Sequence, residues 1–179
     1  MSRHTLIVTT LAFVSVVSAA EVRVDLTPPA QRKPVPAFTL RNADNKPVTS
    51  GSLRGKVAVL NFWATECGGC RLELPSFIEL DHAYRAKGVD VIGISMDVMY
   101  EGLKDTAEAW SKVKPFAQAQ KLVYPILMDD GHSEHAFSID SMPATWVIDK
   151  AGRVAAIYVG VVDKNNLEAN INKLLSEKN

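Results

Sequence analysis

The chain has 179 residues, 47% of them hydrophobic and 22% charged, which suits one domain with an ample core. Lys and Arg together number 20, as do Asp and Glu, so the formal net charge is zero. That balance excludes recruitment of nucleic acid or an anionic membrane by bulk charge.

Arg3 and His4 form a short polar head, Thr5 to Val17 is an apolar stretch, and Ser18-Ala19-Ala20 offers small residues for cleavage, so residues 1–20 read as a signal peptide. The stretch has thirteen residues, short of the roughly 17 to 25 that span a bilayer, which favours cleavage after Ala20 over an uncleaved anchor. No cysteine follows for lipid attachment. Four prolines and no apolar period between Glu21 and Pro36 predict an extended linker over 21–36. The domain itself is expected over 37–179.

Phe38 to Arg41 and Pro47 to Thr49 flank the turn-favouring Asn42-Ala43-Asp44-Asn45-Lys46, which predicts a short hairpin. Val57 to Trp63 is too dense in valine, leucine and aromatic residues to be half exposed, and reads as a buried strand. A helix follows from Cys67 to about Lys87, kinked at Pro75 and ended by Gly88, with Leu72, Leu74, Phe77, Ile78, Leu80 and Tyr84 on its buried side. Val89 to Met96 is a second buried strand. Asp105 to about Lys121 is helical with a bend or break at Pro115, Tyr124 to Met128 is a strand, and Ser133 to Phe137 is a short helix. Strands over Thr145 to Asp149 and Val154 to Val161 are joined by Lys150-Ala151-Gly152-Arg153, and Asp163 caps a last helix that runs to about Glu177. Helices between the early strands imply right-handed parallel crossovers, and the direct turn at Gly152 implies an antiparallel pair. The stretch before Pro115, bordered by Asp97, Glu101, Asp105 and Glu108, is longer than usual and has no purpose readable in the sequence.

Cys67 and Cys70 are the only cysteines, placed where the first buried strand gives way to a helix. The unpaired N–H groups and positive dipole end of that helix lower a thiol's pKa, and a second thiol one turn on can attack a mixed disulfide formed by the first. A bridge closing so short a loop removes little unfolded-chain entropy, so the spacing suits electron exchange better than scaffolding. Zinc usually takes four ligands, and there is no second cysteine pair. A peroxiredoxin-type P-x-x-x-[ST]-x-x-C arrangement is absent as well.

The run Phe62-Trp63-Ala64-Thr65-Glu66-Cys67-Gly68-Gly69-Cys70-Arg71-Leu72-Glu73-Leu74-Pro75 resembles the active-site segment of the thioredoxin superfamily, and more narrowly the TlpA-like periplasmic thiol-disulfide reductases, which include ResA and CcmG. Phe38-Thr39-Leu40, Gly55-Lys56-Val57, Met142-Pro143-Ala144-Thr145 and Val147-Ile148-Asp149 fall in the same order, so the resemblance covers about residues 34 to 176. It implies a thioredoxin-like α/β fold, a central mixed sheet flanked by helices with an N-terminal β-hairpin extension. It also implies that Cys67 is the exposed nucleophile, Cys70 the buried resolving thiol and Pro143 a cis-proline against the dithiol. Pro143 would turn the backbone of Met142 outward to pair with an extended substrate segment. Asn61 stands where thioredoxin carries a buried aspartate, and Glu73, one turn past Cys70, is the carboxylate that would take the Cys70 proton. Trp63 and Glu66 complete the expected substrate-facing set, Trp63 as core and site wall.

The chain departs from the pattern at Glu66, where relatives carry a bulky group, and at Gly69, where they carry proline. A negative charge at Glu66 opposes the helix dipole, keeps the Cys67 pKa from falling far and favours a reductant. The expected function is therefore a periplasmic reductase of disulfides in partner proteins such as apocytochrome c or copper-site assembly proteins. It is expected to be monomeric, to use no cofactor or metal, and to be re-reduced by a membrane thiol donor of the DsbD/CcdA type. A disulfide-donating oxidant and a non-enzymatic Cu(I) chaperone using the thiols with His132 or His135 stay open as alternatives. Asp129, Asp130, His132, Glu134 and His135 form a polar cluster that reads as a solvated loop, and His82 as a surface residue.

Overall fold

The computed structural model describes residues 20–131 and 136–178. Residues 1–19 of the expected signal peptide and residues 132–135, with His132, Glu134, His135 and most of the expected short helix, lie outside the described residues.

The strands are β1 (Thr39–Asn42), β2 (Pro47–Thr49), β3 (Val57–Trp63), β4 (Val89–Ser95), β5 (Ile126–Met128), β6 (Ala144–Ile148) and β7 (Val154–Val159). They form one mixed sheet in the order β2-β1-β5-β4-β3-β6-β7. β3 is central and buried at every residue, as its unbroken apolar sequence requires. It pairs in parallel with β4 and antiparallel with β6, so the crossover helices and the Gly152 turn act as expected. The hairpin is built into the sheet through antiparallel pairing of β1 with β5.

Among the described residues the main helices are α1 (Gly68–Tyr84), α2 (Asp97–Tyr100), α3 (Thr106–Ala119) and α4 (Lys164–Ser176). α1 runs on through Pro75 and passes into a 3-10 turn that Gly88 ends in the left-handed region, at φ 88°. Leu72, expected on the buried side, is exposed, because the buried stripe runs through Cys70, Glu73, Leu74, Phe77, Leu80, Asp81 and Tyr84 and passes it by. α3 also continues through Pro115 instead of breaking there. Pro115 is exposed, and one lost backbone hydrogen bond is outweighed by the Asp105 cap and the buried Ala109 and Val113. Asp163 caps α4 by accepting from the Asn166 amide at 2.9 Å. The long stretch before β5 is thus α2 and α3. The sequence reading missed α2, a single turn opened by Asp97.

Alternation along β3 divides the core. Val57 and Val59 face α1 and α4 with Phe77, Leu80, Ile171 and Leu174, while Ala58, Leu60 and Phe62 face Phe38, Leu53 and Phe137. Each fully buried branched side chain of this kind contributes roughly 1.5–3 kcal/mol.

Residues 21–36, read as an extended proline-rich linker, are extended on either side of a 3-10 turn at Pro29–Gln31 and are laid along the domain. Val22, Val24 and Leu26 turn inward between exposed Glu21, Arg23 and Asp25, a period-two pattern over too few residues to stand out beside the prolines. The segment bonds to β7 and its flanks through Val22 N–H to Val161 O (2.7 Å) and Thr27 N–H to Ala155 O (2.8 Å). Arg32 is buried behind it, donating to Asp149 at 3.2 Å and in a bidentate pair to Glu177 at 2.6 and 2.7 Å.

Candidate active site

The carboxyl end of β3 delivers the chain to Cys67, which caps α1, its Sγ accepting from the Cys70 amide at 3.2 Å. The two cysteines form a disulfide with Cα atoms 5.3 Å apart. Cys70 is fully buried inside the first turn, while Cys67 keeps 4% of its surface exposed between exposed Glu66 and Gly68. Cys67 is thus the more accessible of the two sulfurs by a small margin, and it is less exposed than the sequence suggested. Cys67 and Cys70 share an apolar cluster with Trp63, Ala64, Leu74 and Val113, which explains the difference.

The Met142–Pro143 bond is cis, and Pro143 lies directly against the dithiol loop. A Cβ on Gly69 would come within 3.2 Å of Pro143 Cδ, so the glycine allows the ring to approach. The Pro143 carbonyl accepts from Gly160 N–H at 2.8 Å. Met142 is half-buried and lines a cleft of about 130 Å³ with Met96, Met99, Tyr100 and Ile139. A cavity of about 720 Å³ lies at the opposite, amino-terminal ends of β3 and β4 beside Lys56 and Asp90, away from the sulfur chemistry.

Glu73 projects from α1 into the sheet and is 2% exposed. Its Oε1 accepts from Asn61 Nδ2 at 2.7 Å and its Oε2 from the Val162 amide at 3.2 Å. The same Asn61 amide donates to Thr145 Oγ1 at 3.2 Å. Burial raises the Glu73 pKa to about 7 against the lowering effect of both hydrogen bonds. A carboxyl poised at that value one turn behind Cys70 takes or gives a proton readily at neutral pH. Burial and the nearby Glu73 and Asp81 also push the Tyr124 phenol upward.

Two of the expected substrate-facing residues are placed differently. Trp63 is wholly buried and stacked on Phe116 at 5.5 Å, so it backs the site and offers no surface to a partner. Its indole lies across β4 because position 93 is glycine: a Cβ there would be 2.7 Å from Trp63 Nε1. Glu66 is exposed, but it pairs with Arg71 at 3.3 Å, so part of the charge read as opposing the helix dipole is offset by a cation and screened by water. Asn61 and Thr145, which seat Glu73, were missed as site residues. The signal was a polar residue inside an otherwise apolar buried strand. Among the described residues no group of three or more His, Cys, Asp and Glu side chains is arranged to hold a metal ion.

The AhpC/TSA family model matches residues 32–157. The chain is 31% identical over 143 residues to the thiol-disulfide oxidoreductase ResA of Bacillus cereus, covering 79% of this chain and 77% of that one. It is 29% identical over 133 residues to the thioredoxin-like protein YneN of Bacillus subtilis, covering 74% of each. A solved thiol:disulfide interchange protein of the thioredoxin family from Chlorobium tepidum superposes with a TM-score of 0.68 at 28% identity, covering 82% of this chain and 98% of that one. The mixed sheet, the dithiol at the cap of α1 and these likenesses agree: the chain belongs to the AhpC/TSA family and is a thioredoxin-like thiol-disulfide oxidoreductase.

Proposed function

We propose that this protein is an extracytoplasmic reductase of disulfides in partner proteins, such as apocytochrome c or copper-site assembly proteins. It would work as a monomer and be recharged by a membrane thiol donor of the DsbD/CcdA type. The observation that carries the reading is the buried Glu73 carboxyl, held by an amide side chain and a backbone N–H one turn behind the resolving cysteine. The apolar leader of residues 1–20 supports export. Among the described residues no helix is long and apolar enough to cross a membrane.

In the proposed cycle the Cys67 thiolate attacks one sulfur of a partner disulfide. The partner S–S bond breaks, its other sulfur leaves as a thiolate that takes a proton, and a mixed disulfide forms on Cys67. Glu73 then accepts the Cys70 proton, and the Cys70 thiolate attacks Cys67 Sγ. The Cys67–Cys70 bond closes as the Cys67–partner bond breaks, the partner sulfur leaves as a thiolate that takes a proton, and the partner departs two electrons richer. Met142, beside Pro143, would present its backbone to the partner segment, with the adjoining methionine-lined cleft available to an apolar side chain.

Direction is set by the reduction potential of the pair. Equilibration with glutathione is expected to give a value below about −200 mV, and a value near −120 mV would make the protein a disulfide donor instead.

A further inference from the structure

The α2–α3 segment packs against the dithiol through apolar side chains of α3, and its polar ties to the dithiol loop meet at Thr65, two positions before Cys67. All three polar groups of Thr65 are engaged. Its N–H donates to Asp97 Oδ1 at 3.0 Å, its hydroxyl lies 2.5 Å from Asp97 Oδ1 and 2.7 Å from Glu101 Oε1, and its carbonyl accepts from Arg71 Nε at 2.7 Å. Asp97 is fully buried, and its other oxygen accepts from Ser95 Oγ at 2.7 Å. Glu101 is tied in turn to Lys112 of α3. Phe116 of α3 stacks on Trp63 and lies under the Arg71 guanidinium, 5.4 Å from its ring centre.

Burying an acid is costly unless donors meet its oxygens, and an apolar residue would fill the space under α2 at less cost. What the acid adds is direction: it ties the loop from β3 to α1 on its amide and hydroxyl while α1 holds the carbonyl. Cys67 sits on that loop and Cys70 on the helix, so the tie sets how often the two sulfurs meet. Such positioning raises the effective concentration of one thiol at the other.

We propose that the segment 97–119 is a clamp on the dithiol loop, with Asp97 and Glu101 as positioning residues that hold Thr65, and through it Cys67, in bonding register with Cys70. The clamp deepens the reductase reading, because a favoured ring closure makes a better electron donor.

The test is the equilibrium of the purified protein with glutathione, in which the dithiol plus oxidised glutathione gives the Cys67–Cys70 disulfide plus two reduced glutathiones. Thr65→Val is expected to lower that constant about tenfold, equivalent to about 30 mV less negative, while Thr65→Ser stays within about twofold. Glu101→Ala, on the acid that shares the hydroxyl, is expected to lower it about threefold, and serves if Thr65→Val fails to fold. A purely structural role would lower the unfolding midpoint and leave the constant unchanged. Wild-type constants in both Thr65→Val and Glu101→Ala, or equal losses in Thr65→Val and Thr65→Ser, would overturn the clamp. The measurement needs no partner protein, so its failure is distinct from failure of the reductase reading.

Discussion

Glu73 and Asp149 are carboxyl groups almost closed to solvent, at 2% and 3% exposure, yet they are driven in opposite directions. Glu73, beneath the dithiol, meets only an amide side chain and a backbone N–H, and burial lifts it to about 7. Asp149, in the β6–β7 turn beside the N-terminal segment, is also pulled upward by burial. The Arg153 amide and guanidinium together with Arg32 outweigh that pull and hold it below the ordinary carboxylate range. Burial alone therefore does not decide what a carboxyl does. Cations beside it fix a charge for structure, and neutral donors leave a proton to be moved.

The largest expected effect falls on the chemical side of this contrast. Glu73→Gln is expected to slow resolution of the mixed disulfide about a hundredfold at neutral pH, read by single-turnover kinetics, because glutamine cannot take the Cys70 proton. Stability should change with it. The folded state binds the Glu73 proton more tightly than the unfolded chain, whose value is about 4.5, so this stability is present below that pH and is lost as pH rises through about 7. The loss amounts to up to about 3 kcal/mol. Urea midpoints of wild type should therefore fall across that window, and those of Glu73→Gln should be flatter. Parallel profiles would show that the two ends of the contrast are alike.

On the structural side, Arg32→Met is expected to cost roughly 3 kcal/mol by leaving Asp149 with one cation fewer and Glu177 without its bidentate partner. Here the sign reverses. Asp149 and Glu177 are depressed in the folded state, so the stability that Arg32 lends is present above their ordinary values of 3.8 and 4.5 and fades as pH falls. Urea unfolding at pH 7 and at pH 3 checks both the size and the direction, and the turnover rate should barely move.

What the sequence made legible follows the same divide. β3, the dithiol, the capping of α4 by Asp163 and the cis-proline position rest on local patterns or on a resemblance carried by contiguous residues, and they were readable. Glu73 was singled out, but its seat was not, because Asn61, Thr145 and the Val162 amide converge from three separate segments. Asp97 and Glu101 were visible only as acids bordering an insertion, since their partner Thr65 lies about thirty residues earlier across the sheet. Trp63 was read as core and site wall and also placed in the substrate-facing set, because its position next to the dithiol does not show what covers it. Phe116 of α3 covers it. The N-terminal segment was read as a linker because prolines mark an extended chain whether or not it is docked.

The central claim is that Cys67 attacks and Cys70 resolves. Reduced Cys70→Ser protein mixed with insulin should accumulate a covalent adduct through Cys67 that a reducing agent releases, and Cys67→Ser should accumulate none. An adduct on Cys70 in the Cys67→Ser protein, formed as fast as the Cys67 adduct, would contradict the account.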